Sequence, residues 1–411
     1  MNNLKCETGI AGNRGTAVKS DCYVEISLTK SGGIEIDLHS KVEKLFGDSI
    51  RELINNMMEF YQIGNAKVYI EDFGALNFVI AARIEAAIKQ IINDERPFLF
   101  EILKQNRYST ERNRFRITRL YLPGNNPSLM INAGIHKPNG IILDLEDAVA
   151  ADKKYESKFL VRNALRQVDF YGAERMVRIN QIPAGIDDLD FVIGNFVNLI
   201  LIPKCESAAQ VKAVNEKIFS IKIQNSLEEN IWLMPIIESA LGVLNAYEIA
   251  SSCENVVAMA IGLEDYTNDL GTKRTQKANE TFFARSMVVN ACRAAGIQPI
   301  DSVFSDINDM DALASNAKTS KALGFDGMGC IHPRQINVIM DNFSPDNDDI
   351  RKAQQIVHAF IKAEENGLGV VSIGSKMIDA PIVKRAHNTI NLAVRLGKID
   401  ADWLQNYNGN N

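Results

Sequence analysis

Two carboxylates and one guanidinium stand where short apolar runs give way to polar residues. Glu238 closes "WLMPIIES", Asp265 closes "VVAMAIGLED", and Arg178 sits inside "RMVRIN". Carboxylates with no histidine or cysteine beside them suit a hard cation that keeps several of its waters, most simply Mg²⁺. A single carboxylate is more simply read as a lysine's partner or a helix cap; two at the ends of adjacent strands favour the metal. Arg178 offers a planar fork that holds a carboxylate bidentately, which lysine does less well. An ion pair with Glu146 or Asp147 is the competing role, and the two are compatible. Together the set fits an α-hydroxy or α-keto acid, the metal chelating its carboxylate and adjacent oxygen and Arg178 taking the remaining negative charge. Breaking the carbon–carbon bond beside that oxygen is a retro-aldol or retro-Claisen step, with the metal stabilising the conversion of alkoxide to ketone.

Such residues need a frame that brings strand ends together. Eight apolar runs recur with helix-like stretches between most of them: residues 119–124, 140–147, 175–180, 199–204, 232–239, 256–265, 298–304 and 325–333. Eight strands alternating with helices is the count of a (β/α)8 TIM barrel, an α/β fold whose chemistry lies at the C-terminal strand ends. Those ends carry Glu146, Asp147, Arg178, Lys204, Glu238, Glu264 and Asp265. A doubly wound sheet shares the alternation, but "LPGNNPS" after the first strand is not the G-x-G-x-x-G phosphate turn.

The first ninety-odd residues have another rhythm. Cys22, Val24, Ile26 and Leu28 alternate with polar neighbours, as do Ile34, Ile36 and Leu38 after "KSGG", and the pattern predicts a hairpin. A helix follows with Ser40 as N-cap and Val42, Leu45, Phe46, Ile50, Leu53, Ile54 and Met57 as its apolar stripe. The strand "AKVYIED" and a second helix complete a small α+β unit. The organisation expected is 1–95 for this unit, 96–116 for a charged, solvated connector, 117–343 for the barrel, and 344–411 for C-terminal helices and a lid. In the last part a helix is expected from Ser344-Pro345 to Asn366-Gly367, with Gly369 and Gly374 as hinge points. Asp379, just before Pro381, reads from local sequence as a helix cap.

A length of 411 residues accommodates two full cores. A formal charge of −6 gives no general attraction to nucleic acid or to an anionic membrane. The six cysteines are scattered without a C-x-x-C pair, which argues against zinc and a disulfide framework and for a reducing cytoplasm. No apolar run approaches membrane-spanning length.

"GIILDLEDAVA", "RMVRIN", "LILIPK", "MPIIESALGVLNAYEIA", "IGLEDY", "GFDGMGCIHPRQI" and "GLGVVSIGSKMIDAPIVKRA" occur in order. Together they resemble the citrate lyase β subunits of the HpcH/HpaI aldolase and citrate-lyase-like superfamily. "GIEIDLHSKVEKLFGDSIRELI" and "VYIEDFGALNFVIAARIEAAI" in the front unit resemble the citrate lyase γ acyl carrier protein. The resemblance implies a lyase that cleaves a citryl or related 3-hydroxyacyl thioester to a 2-oxo acid and an acetyl thioester. Malyl or citramalyl thioester cleavage, the reverse condensation, or a scaffold role in a lyase complex are the alternatives. It further implies Arg178 as the substrate-carboxylate arginine and Glu238 and Asp265 as Mg²⁺ ligands. Asp379 would be an acid/base reaching a neighbouring subunit of a homo-oligomer, a trimer being favoured. Asp144, Glu146, Asp147, Ile331 and His332 match the region contacting the nucleotide arm of the thioester, and from its residue type alone His332 reads as a packed histidine. An α-type transferase subunit is an implied partner.

Two positions depart from the pattern. Ile117 and Thr118 replace the Arg-Ser pair that opens the family's first strand, Arg116 lying one residue earlier. In "GTAVKSD" Lys19 stands where the carrier's modified serine is expected, with Ser20 next to it. A lysine forms no phosphodiester. Either a dephospho-CoA-derived arm attaches at Ser20, or the arm is lost, the domain is a relic or docking module, and free coenzyme A thioesters are turned over; the one-residue shift favours loss or altered use.

Overall fold

Short β-branched runs flanked by helices close on themselves here. In the computed structural model, residues 6–275, 277–365, 371–373 and 376–407 are described. The barrel strands are β5 (Thr118–Pro123), β6 (Gly140–Asp144), β7 (Glu174–Arg178), β8 (Leu199–Ile202), β9 (Trp232–Ile237), β10 (Ala258–Ile261), β11 (Gln298–Asp301) and β12 (Gly327–Cys330). Each pairs in parallel with the next, and β12 returns to β5 with Met328 opposite Thr118, so the eight close a barrel. Alternate side chains point opposite ways along a strand. Ile142, Met176, Leu199, Leu201, Met234, Ile236, Ala258, Ala260 and Ile300 fill the interior. Their neighbours Ile141, Leu143, Val177 and Ile200 face the surrounding helices.

The front unit has four strands, β1 (Thr8–Gly12), β2 (Cys22–Leu28), β3 (Ile34–Ser40) and β4 (Ala66–Asp72), in the order β1-β2-β4-β3. The expected β2–β3 hairpin does not form. β4 lies between them, antiparallel to β2 and parallel to β3. Burial explains the order: Ala66, Val68 and Ile70 are sealed and demand a neighbour on each side, whereas β3 is largely open and suits an edge. Helix α1 (Glu43–Phe60) has Val42, not Ser40, at its N-cap position. Ser40 instead ends β3, where its hydroxyl donates to Asp72 (2.5 Å) and accepts from the Val42 N–H. Ile50, Leu53, Ile54 and Met57 are buried as the stripe predicts, but Leu45 and Phe46 are 81% and 56% exposed.

Helix α2 (Asn77–Ile91) is apolar on nearly every side because it is covered twice, by its own sheet and by the barrel helix Lys154–Gln167. Buried charge pairs lock this junction. Arg83 donates to both oxygens of Asp21 (3.0 and 2.9 Å) and lies 3.4 Å from Glu156. Glu156 also accepts the Gly12 N–H (2.6 Å), and Arg162 forks onto Glu85. Both charged groups of the first pair are within 4% of complete burial. Removing only Arg83 leaves Asp21 buried without a cation and Glu156 with Lys153 alone, so Arg83→Met is expected to destabilise the chain by about 3–5 kcal/mol. Denaturant unfolding measures it; a loss under about 1 kcal/mol would show the pair to be nearly neutral.

The connector is exposed along much of its length, Arg96, Lys104, Arg107 and Arg112 included, but Asn106, Thr110 and Arg116 are buried. Asn106 donates to the carbonyls of Leu165 and Val168, Trp232 donates to the Thr110 carbonyl (2.8 Å), and Arg116 forks onto Glu174 at 2.8 Å from each oxygen. Through these buried residues it is strapped across the starts of β7 and β9. Farther on, helices Asn347–Glu365 and Ala380–Arg395 pack through Ala353, Val357, Ala386 and Ile390, joined by a hairpin of β13 (Val371–Ile373) and β14 (Lys376–Ile378). The helix therefore begins two residues after Pro345; Asn366-Gly367, Gly369 and Gly374 lie outside the described residues. Among the described residues, no helix is long and apolar enough to cross a membrane.

Candidate active site

Strand ends on one face of the barrel bring five carboxylates to two cations. Asp144, ending β6, accepts from Arg178 Nε and Nη2 (2.7 and 2.6 Å) and also from the backbone N–H of Glu146 and Ala148. Glu146 bridges Arg178 Nη1 (2.9 Å) and Lys204 Nζ (2.6 Å). Lys204 also meets Asp147 (3.1 Å) and stands 3.8 Å from Asp265. Burial alone would lower the Arg178 and Lys204 pKa values; bonds to Asp144, and to Glu146 and Asp147, more than offset it and raise both.

Glu238 differs from the others. Burial pushes its carboxyl up to about 7, eased by the Lys204 N–H and by Arg178 and worsened by Glu146 and Asp265. One oxygen accepts that N–H at 2.8 Å. The other faces Gly262, where any Cβ would lie 2.4 Å from it, so only glycine leaves room for this carboxylate. Gly262 leads into helix Leu263–Asp269, and Asp265 in its first turn is 44% exposed. Among the described residues, no three His, Cys, Asp or Glu side chains converge as ready ligands. A cation here would therefore take two carboxylates and complete its shell with water and substrate, the habit of Mg²⁺ rather than Zn²⁺. Five carboxylates against Arg178 and Lys204 leave the charge such a cation would balance.

Asp144, Asp147, Arg178, Glu238 and Asp265 border a cavity of about 290 Å³ whose wall also includes Tyr121, Ser302 and Ile331. A larger cleft of about 760 Å³ between α2 and the barrel helices contains none of the strand-end carboxylates. Of the residues singled out in the sequence, Asp144, Glu146, Asp147, Arg178, Glu238 and Asp265 come together, and Ile331 lines the same space. His332 does not line it; its Nδ1 accepts the Arg334 N–H (3.1 Å) and shapes the turn. Asp379 also lies elsewhere in its own chain, accepting the Ile382 N–H (3.2 Å) as N-cap of helix Ala380–Arg395. Ser20 has a left-handed φ of 55°, Lys19 beside it is exposed, and Asp21 next to them is held by Arg83 of α2, which in turn reaches Glu156 of the barrel helix. Sequence reasoning passed over Lys204 as the hub of the carboxylates; its place after "LILIP" was the available signal. It passed over Arg119, Tyr121 and Gly262 entirely.

The fold and the site define a (β/α)8 enzyme with a carboxylate-rich pocket at its strand ends. The HpcH/HpaI aldolase/citrate lyase family profile matches residues 117–333, and the chain belongs to that family. Residues 11–91 match the acyl-carrier family described as malonate decarboxylase delta subunit. The chain is 38% identical to citrate lyase subunit beta of Haemophilus influenzae, over 66% of this chain and 95% of that protein. It is 30% identical to mouse mitochondrial citramalyl-CoA lyase, over 71% of this chain and 90% of that one. These relatives are lyases. Among solved structures, the CitE protein of Mycobacterium tuberculosis in complex with magnesium, acetoacetate and coenzyme A superposes with a TM-score of 0.57. That match has 26% identity and covers 69% of this chain and 99% of the other.

Proposed function

We propose that the chain is an Mg²⁺-dependent carbon–carbon lyase, cleaving a citryl or related 3-hydroxyacyl thioester to a 2-oxo acid and an acetyl thioester. The observation that carries this reading is the convergence of Glu238 and Asp265 at adjacent strand ends beside Arg178. Bound Mg²⁺ would supply Lewis-acid stabilisation of the substrate oxygen. Glu238 and Asp265 hold it, Lys204 fixes Glu238 through its backbone, and Arg178 holds the substrate's carboxylate. In the cleavage the 3-hydroxyl gives its proton to solvent water in the open cavity, the C2–C3 bond breaks with its electrons passing to the thioester enolate as the C3 oxygen becomes a ketone, and one proton is returned to the enolate's α-carbon. Asp379 is assigned that last proton, delivered from the C-terminal segment of a neighbouring protomer in a trimer. Its position away from its own chain's cavity supports this. Mixing Asp379→Asn with Arg178→Ala chains should then restore activity that neither has alone; no restoration would remove Asp379 from the site.

The carrier-like unit is fixed to the barrel by buried charges, which suits a permanent rim element more than a swinging arm, so free coenzyme A thioesters are the favoured substrates. A transferase subunit is not required for their turnover. With Mg²⁺ and citryl-, citramalyl- or malyl-CoA, the purified chain should release a 2-oxo acid and acetyl-CoA in equal amounts. Failure with all three, in protein whose intact mass shows no adduct, would overturn the lyase reading.

Protons compete with the metal for Glu238. Its carboxyl is raised from 4.5 to about 7, so the metal-free fold is favoured by the neutral form at low pH, and this contribution is lost as pH rises through about 7. Mg²⁺ needs the ionised form. Its affinity should fall by about tenfold per pH unit below 7. Thermal shifts at fixed Mg²⁺ from pH 8 to pH 5.5 measure this; an affinity flat across that range would contradict the raised carboxyl.

A further inference from the structure

The cavity floor holds a guanidinium with no counter-ion. Arg119 on β5 is 1% exposed and lines the space below Glu238 and Asp265. Its Nη1 meets only the thioether sulfur of Met234 (3.1 Å), and its Nε has no hydrogen-bond partner. The carboxylate among its charged neighbours, Glu174, is held by both arms of Arg116. Another neighbour, Cys330, is kept a neutral thiol by burial. Its strand partners in register on either side are Gly140 and Gly329. A Cβ on Gly140 would crowd Met176 at 2.5 Å and touch Arg119 Cγ at 3.5 Å, and one on Gly329 would crowd Val303 at 2.7 Å. The space above the two glycines is taken by Met176 and by Val303 and Tyr121, so neither strand partner offers the arginine an anionic group. Ile236 and Ala260, also on the cavity wall, offer it no charge.

A buried, unpaired guanidinium is costly unless something anionic completes it. Arg178, which also braces Asp144 and Glu146, is assigned the first carboxylate, which leaves Arg119 as the cavity-lining cation open to a second anionic group. We propose that Arg119 binds the further carboxylate of the substrate's acid portion, so that the preferred substrate carries a carboxymethyl group on its hydroxyl-bearing carbon where citramalyl carries a methyl and malyl a hydrogen. This inference rests on the lyase reading and selects among its substrates. The 2-oxo acid released is then a dicarboxylate, and burial that holds the Arg119 pKa down to about 10 still leaves it charged at neutral pH.

Arg119→Met tests it, and replacing a buried unpaired charge by an apolar side chain should keep the fold or stabilise it. The ratio of kcat/KM for citryl-CoA over citramalyl-CoA should fall on the order of 10²-fold in the variant. A ratio unchanged in folded Arg119→Met would overturn the assignment. Binding separates this from the lyase reading itself. Calorimetry with Mg²⁺ should show wild type binding oxaloacetate more tightly than pyruvate, with that preference lost in Arg119→Met, even if no thioester is turned over. Equal affinity of wild type for both acids would reject Arg119 as the second carboxylate site whatever the turnover result.

Discussion

Glu238→Gln and Asp265→Asn should each lower Mg²⁺-dependent thioester cleavage by at least about 10³-fold, because each removes one of the two anionic ligands proposed for the metal. The fold should survive. In Glu238→Gln the amide oxygen can still accept the Lys204 N–H that the carboxylate accepts at 2.8 Å. That variant also avoids burying a charge whose pKa is displaced from 4.5 to about 7, a difference of about 3 kcal/mol by the usual conversion. Metal-free Glu238→Gln should therefore melt no lower than wild type above pH 7 while being inactive. Asp265 is half open and in the first turn of its helix, so its amide should be structurally mild. Activity persisting in both variants would move the metal elsewhere.

Arg178→Lys should reduce turnover by one order of magnitude or more, about 1.4 kcal/mol for each. Arg178 reaches both oxygens of Asp144 and one of Glu146 with three different nitrogens, while standing 5.4 Å from the Tyr121 ring centre. A lysine ammonium offers one centre and cannot span those carboxylates while also meeting a substrate. The loss should therefore appear in kcat as well as in KM. A change confined to KM would assign Arg178 to uniform binding, and wild-type kinetics would return it to a structural role, bracing Asp144 and Glu146.

The barrel was legible because its strands are short apolar runs whose polar residues cluster at one end. That pattern put Glu146, Asp147, Arg178, Lys204, Glu238 and Asp265 at the strand ends of one barrel before any geometry was available, whereas Asp144 was singled out only by the family resemblance. The front sheet was less legible: alternation shows that a strand has a buried face but not which strand lies beside it, so β4 between β2 and β3 went unseen. Most of the connector's charges face solvent as expected, and Arg116 is the exception, charged and buried against Glu174, 58 residues away in sequence. Leu45 and Phe46 follow helical spacing yet face outward, since periodicity names a face without showing what covers it. Arg119 carries no local mark. In "ITRLYLP" an arginine among strand residues reads as the solvent side, and only barrel closure turns it inward toward Met234. Lys204, too, becomes a hub only when three strand ends meet.

Titrating Mg²⁺ into the purified chain in the presence of oxaloacetate tests the two-carboxylate metal site most directly. One Mg²⁺ per chain should bind to wild type, more tightly with oxaloacetate than without, and neither Glu238→Gln nor Asp265→Asn should show that site. Binding of equal strength in wild type and both variants, or none in wild type, would contradict it.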